Sequence, residues 1–99
     1  MALGSMNIID ILLGLLLGTL YRHHKGSLYR KLGEGCDSTN TRAGCPVVIY
    51  RSIALGVTRV RETGEWNERV RWPGGTMRHR FERIGVRDLT RDDVFPYRL

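Results

Sequence analysis

A chain of 99 residues supports one domain and not two, and at this size folding buries roughly 60–65% of the surface exposed by the unfolded chain. The formal net charge is +6, and 14 of the 16 Lys and Arg side chains are Arg, the rigid fork that pairs with phosphate and carboxylate and stacks on rings. An anionic partner is expected; with no activated nucleophile, metal-ligand set or phosphate loop in the sequence, an enzyme, a cofactor and a metal site are not.

In chain order, Gly4-Ser5-Met6 has the form of a cloning remnant, so residues 1–6 are read as a remnant or flexible start. No Lys or Arg precedes Arg22, which argues against a secretory leader. The apolar run from Ile8 to Leu20 is interrupted by Asp10, Gly14 and Gly18 and falls short of the ~20 residues that span a bilayer, so no stable membrane span is expected. Asn7 can cap a helix over 7–17, Asp10 would complement its dipole from the first turn, and Gly18 would end it. Because that helix is apolar nearly all round, it must be covered on more than one side. Self-association through Ile8, Ile11, Leu12, Leu15 and Leu16 into a homo-oligomer is the preferred reading; the alternative is that the β domain of the same chain covers it.

Thr19–His24 and Ser27–Leu32 are predicted strands joined by the tight connection Lys25-Gly26, with Gly33-Glu34-Gly35 loosening the second. Cys36 and Cys45 bracket a polar loop, and their pairing as a disulfide or persistence as thiols stays open. Val47–Tyr50, β-branched and short, predicts a central buried strand. Thr58 and Val60 alternate with Arg59 and Arg61, which would put Thr58 and Val60 inward and both guanidiniums outward. Trp66 is expected to plug the end of the core. Arg69–Trp72 and Thr76–Phe81 flank Pro73-Gly74-Gly75, a hairpin turn; a simple register would join Val70 and Trp72 to Met77, His79 and Phe81, with His79 a hydrogen-bonded core residue. Residues 85–99 read as a tail packed on the domain, with Phe95-Pro96-Tyr97 docking back.

Seven arginines lie between Arg59 and Arg83, and strand alternation predicts most of them on one face. They serve either an anionic ligand or ion pairs with Glu62, Glu65, Glu68 and Glu82. His23 and His24 are neighbours on a strand and should point apart, which disfavours a shared metal.

The blocks Tyr21-Arg-His-His-Lys-Gly26, Leu28-Tyr29, Leu32-Gly33, Ser38, Val47-Val48, Tyr50-Arg51, Val60-Arg61, Trp66-Asn67-Glu68 and Arg80-Phe81 occur in the same order as in domain-of-unknown-function family 1653, which this chain resembles from Gly18 to Ile84. The resemblance implies a small SH3-like β-barrel with no established catalytic activity, found in the bacterial cytoplasm or in phage-infected cells. The expected fold is therefore mainly β: an SH3-like barrel of about five to six strands over 18–84 with a short N-terminal apolar helix. The expected function is a non-enzymatic binding module for a phosphate-bearing small molecule, such as a signalling nucleotide sequestered by a phage protein. Tyr21, Arg22, His23, Lys25, Tyr50, Arg51, Arg59, Arg61, Trp66 and Arg80 are the candidate ligand-binding residues. The alternatives are a nucleic-acid-binding module and an assembly module working through the apolar helix.

Overall fold

A computed structural model describes residues 3–95, with side chains from residue 8 onward. Among these residues turn glycines and alternating side chains yield seven strands: β1 (Leu20–His23), β2 (Leu28–Cys36), β3 (Pro46–Ser52), β4 (Thr58–Glu62), β5 (Arg69–Arg71), β6 (Met77–His79) and β7 (Phe81–Arg83). Helix α1 (Leu3–Leu17) precedes them, and single helical turns α2 (Thr63–Trp66) and α3 (Arg91–Val94) interrupt and follow them. The five-stranded antiparallel sheet runs β4-β3-β2-β1-β7, and β5-β6 forms a separate hairpin. The fold is mainly β, as predicted. Its edge strands β4 and β7 do not pair with each other, so the sheet remains open.

At the β1–β2 turn Gly26 has φ +104°; its N–H donates to the His23 carbonyl at 2.7 Å, and the His23 N–H donates to the Ser27 carbonyl at 2.9 Å. The expected loosening at Gly33–Gly35 does not occur. β3 pairs with β2 as far as Cys36, and a bulge between Lys31 and Gly33 absorbs the extra residue. Cys36 stands opposite Pro46, the Asp37 N–H bonds to the Cys45 carbonyl, and both thiols are free.

Helix α1 begins at Leu3, four residues before the predicted start at Asn7, whose side chain lies outside the described residues, as do Pro96 and Tyr97. It ends as predicted, on Gly18 at φ +68°. The Thr19 N–H donates to the Gly14 carbonyl at 2.8 Å and the Gly18 N–H to the Leu15 carbonyl at 3.4 Å, the paired bonds of a Schellman stop. A Cβ on Gly14 would stand 2.9 Å from Leu20 Cβ, so the absence of a side chain there lets the helix descend onto β1. Ile11 is buried with Leu20, Leu28 and Ile53, and Leu15, Ile84 and Leu89 pack against them. Ile11 and Leu15 are thus spent inside the chain and do not form an outer interface. The outward residues are Ile8, Ile9, Leu12, Leu13, Leu16 and Leu17. Asp10 is likewise not in the first turn. It is buried and bridges Arg30 and Arg51.

The hairpin register departs by one residue from the simple expectation. The Trp72 N–H bonds to the Thr76 carbonyl, and Val70 stands opposite Arg78 while Arg71 stands opposite Met77. Val70 and Trp72 therefore share a face with Arg78, whose guanidinium lies 4.0 Å from the Trp72 ring, and not with Met77 and His79, which are exposed. Beyond β7, Arg22 reaches across to the tail, its fork meeting both Asp93 oxygens at 3.0 and 2.6 Å; Phe95 is exposed.

Leu20 is 0% exposed and Leu16 82%. Leu20→Ala should lower the unfolding free energy by about 2–5 kcal/mol, whereas Leu16→Ala should stay within about 0.5 kcal/mol of the parent in urea titrations.

Candidate functional site

Because strand neighbours alternate, the register divides the sheet into two faces. Tyr21, Tyr29, Ser52, Lys31, Tyr50, Arg59, Val48 and Arg61 are linked by direct cross-strand pairing or by alternation on one face. His23 and Phe81, paired across β1 and β7, continue it. Helix α2, placed directly after β4, delivers Trp66 onto this face, where it stacks on Phe81 with centroids 3.8 Å apart and planes 7° from parallel. Tyr21 meets Trp66 edge-on at 5.3 Å. Tyr50 lies 5.1 Å from Trp66 and 5.5 Å from Phe81. Trp66 thus closes the core as predicted.

The arginines do not share one face. Arg22 and Arg51 point to the opposite, helix-bearing face, where they are taken up by Asp93 and Asp10. On β4 the expected orientation is inverted. Val60 is exposed, whereas Arg61 lies over Phe81 at 5.6 Å and pairs with Glu65 at 2.6 Å, because the aromatic cluster, not the helix, covers this end of the sheet. Arg80 pairs with Glu68 at 2.6 Å and Arg78 with Glu82 at 3.1 Å, and Arg42 bridges to Glu62. Glu65, Glu68 and Glu82 thus each neutralise one arginine of the run, while Glu62 is taken by Arg42, outside it. Arg59, opposite Tyr50, has no carboxylate partner among the described residues. Lys25 is exposed in the β1–β2 turn.

Between this face and the β5–β6 hairpin lies a cleft of about 470 Å³ lined by, among others, Tyr21, Lys31, Glu34, Trp66, Asn67, His79, Phe81, Glu82 and Arg83. Of the candidate residues only Tyr21 and Trp66 line it. Lys31 and Arg83 were not among the candidates; both alternate onto the face of Tyr21, opposite Tyr50 and Tyr21 respectively, a signal that a correct strand register would have exposed. Lys31 makes a 3.4 Å pair with the exposed Glu34, Glu82 is held by Arg78, and Arg83 has no carboxylate partner among the described residues. His79 is not a core residue: it is exposed, and its Nδ1–H donates to the Asn67 carbonyl at 2.7 Å.

The profile of the family described as "Protein of unknown function (DUF1653)" matches residues 19–83. The chain belongs to the DUF1653 family. A crystal structure of a DUF1653 protein from Bordetella bronchiseptica is similar, with 29% sequence identity, a TM-score of 0.57, and coverage of 67% of this chain and 83% of that one. No curated protein matches the chain. Every cleft residue named above lies within the segment matched by DUF1653, whereas α1 and Asp10 lie outside it.

In this DUF1653 protein His23 and His24 do not point apart, because β1 ends at His23 and the chain turns; their rings lie 4.2 Å from each other. His23 Nδ1 accepts the Lys25 N–H at 3.2 Å, while His24 Nδ1 is buried without a partner among the described residues. Among these residues no group of three or more His, Cys, Asp or Glu is placed to hold a metal ion. Burial first, then the charges of His24, Arg61, Arg80 and Lys25, push His23 down from 6.5 to about 4, and burial with Arg80, Lys25 and Arg61 lowers His24 as well.

A histidine depressed in the folded state binds fewer protons than its unfolded counterpart between the two values. Its stabilising contribution is thus complete above pH 6.5 and declines as pH falls toward about 4. Asp93 acts lower: burial opposes its charged form, but the Arg22 fork holds it below 3.8, so its contribution is lost only beneath that value. Urea unfolding should show stability declining between about pH 7 and about pH 4.5, with a shallower decline in His23→Gln.

Proposed function

We propose that this protein is a non-enzymatic binding module for a small phosphate-bearing ligand of nucleotide size, held in the cleft beside Tyr21 and Trp66. The observation that carries this reading is that one cavity of about 470 Å³ combines aromatic walls with the cationic side chains of Lys31 and Arg83. Its volume falls within the roughly 300–1,000 Å³ of small-molecule sites. Tyr21, half-buried, offers a ring for a base, and Asn67 and His79 offer polar groups to its edge. Arg83 supplies the guanidinium fork suited to phosphate oxygens. A mononucleotide or small signalling nucleotide suits these dimensions better than a long nucleic acid, since Arg42, Arg61, Arg78 and Arg80 are paired with glutamates and form no continuous phosphate track.

Calorimetric titration with nucleoside mono-, di- and cyclic phosphates should show binding. Tyr21→Ala should weaken it by roughly 5- to 150-fold through lost stacking, and Arg83→Ala by roughly 10- to 150-fold through lost charge-assisted bonds. Absence of heat across the panel, or unchanged affinity in both variants, would refute the reading.

Self-association through the outer face of α1 is a second reading, favoured by Ile9, Leu12, Leu13, Leu16 and Leu17, which are 38–82% exposed. The sole acid within the described side chains of this helix is turned inward, so its outer face carries no charge to oppose a second copy. Native mass spectrometry should find an oligomer that Leu12→Glu with Leu16→Glu converts to monomer without loss of fold; a monomeric parent protein overturns this reading. Among the described residues no helix is long and apolar enough to cross a membrane.

A further inference from the structure

On the face of the sheet opposite the cleft, Arg30 and Arg51 stand directly across from one another on β2 and β3. Like charges so placed repel, and a single buried carboxylate separates them. Asp10 reaches down from α1 with Oδ1 3.2 Å from Arg30 Nε and Oδ2 3.2 Å from Arg51 Nε. Each guanidinium therefore spends its Nε–H on the shared acid, and among the described residues the Nη groups of both have no hydrogen-bond partner. Two positive charges against one leave a net charge of +1. Its setting is partly desolvated, with 19% and 25% of the Arg30 and Arg51 side chains exposed.

This surplus charge lies in a groove of about 370 Å³ whose lining comprises the triad together with Ile9, Leu32 and Thr58. Leu32 is turned outward at the β2 bulge, and Ile9 projects from the helix side. The walls are thus mainly aliphatic, the floor carries unused guanidinium donors, and Asp10 repels any anion of higher charge. We propose that this groove binds the carboxylate of a small aliphatic acid, its head on the Arg30 and Arg51 Nη groups and its chain along Ile9 and Leu32. A monocarboxylate matches the single surplus charge and, through its planar pair of oxygens, the donor fork; a phosphate dianion would exceed that charge and meet Asp10. The site shares no lining residue with the cleft, so either can fail without the other.

Calorimetric titration of the full chain with octanoate, 1-octanol, acetate and inorganic phosphate tests the assignment. Octanoate should bind, and 1-octanol, acetate and phosphate should bind at least tenfold more weakly, in keeping with loss of either the charge or the chain. Arg51→Met, which keeps the length of the stem, should weaken octanoate by roughly 10- to 150-fold. Should that variant not fold, Thr58→Glu, at an exposed position on the rim, should produce a comparable loss by adding a second negative charge. No octanoate binding at millimolar concentration, equal binding of octanoate and 1-octanol, tighter binding of phosphate, or octanoate affinity unchanged in the folded variant would each overturn the proposal.

Discussion

The ring of Phe81 ties the structure together. It sits on β7, a strand of three residues at the edge of the sheet. Its contacts with Trp66 at 3.8 Å, His23 at 4.8 Å, Tyr50 at 5.5 Å and Tyr29 at 5.6 Å secure that edge. Aromatic pairs of this kind are worth about 0.5–1.5 kcal/mol each beyond the area they bury. Stacking on Trp66 anchors α2, and α2 fixes where the chain leaves for β5. The His79–Asn67 hydrogen bond and the Arg80 N–H donating to the Glu68 carbonyl at 2.7 Å close the base of the second hairpin, the His24 N–H donating to the Arg80 carbonyl at 3.0 Å ties it to the end of β1, and the cleft is the space left between hairpin and sheet.

The other face solves an electrostatic problem. Aliphatic contact through Ile11, Leu20, Leu28 and Ile53 brings α1 onto the sheet, and Asp10 then makes the opposed Arg30 and Arg51 tolerable. Most of the remaining ion pairs, such as Arg80 with Glu68 and Arg61 with Glu65, involve at least one half-exposed partner and each contribute only about 0–1 kcal/mol. Their consequence is selective: by engaging some arginines they determine which cations remain for a ligand. Arg22 is the clearest case. Among the candidate ligand-binding residues in the sequence, it latches the C-terminal segment, bonded to Asp93 and to the carbonyls of Gly26 and Asp88.

Turns and stops were legible because they depend on local backbone preference. Gly18 ends α1 and Gly26 turns β1 into β2 for the same reason: each adopts positive φ, which a side chain disfavours. The central position of Val47–Tyr50 and the burial of Trp66 were equally readable from side-chain type. Less legible were the features set by what lies above a strand. Val60 reads as inward and Arg61 as outward by hydropathy, yet both faces of this sheet are covered only in part. α1 shields the β1–β2 end of one face and α2 with Phe81 the β4 end of the other, so the guanidinium of Arg61 lies over a ring while Val60 meets solvent.

The candidate site followed the same division. Amino-acid order determined the fold class, the apolar helix and its C-terminal stop, the hairpins at Gly26 and Pro73–Gly75, and the family, because propensity, alternation and motif spacing act within a few residues along the chain. Only tertiary structure decided which arginines meet an acid, that Lys31 and Arg83 join Tyr21 and Trp66 in one cleft, and that Asp10 stands between two arginines. Those outcomes depend on a bulge at Lys31–Gly33 and a one-residue register shift in the second hairpin. Because strand side chains alternate with period two, a shift of one residue exchanges the faces, and local sequence carries too little energy to select between registers before the helix and the aromatic cluster are in place.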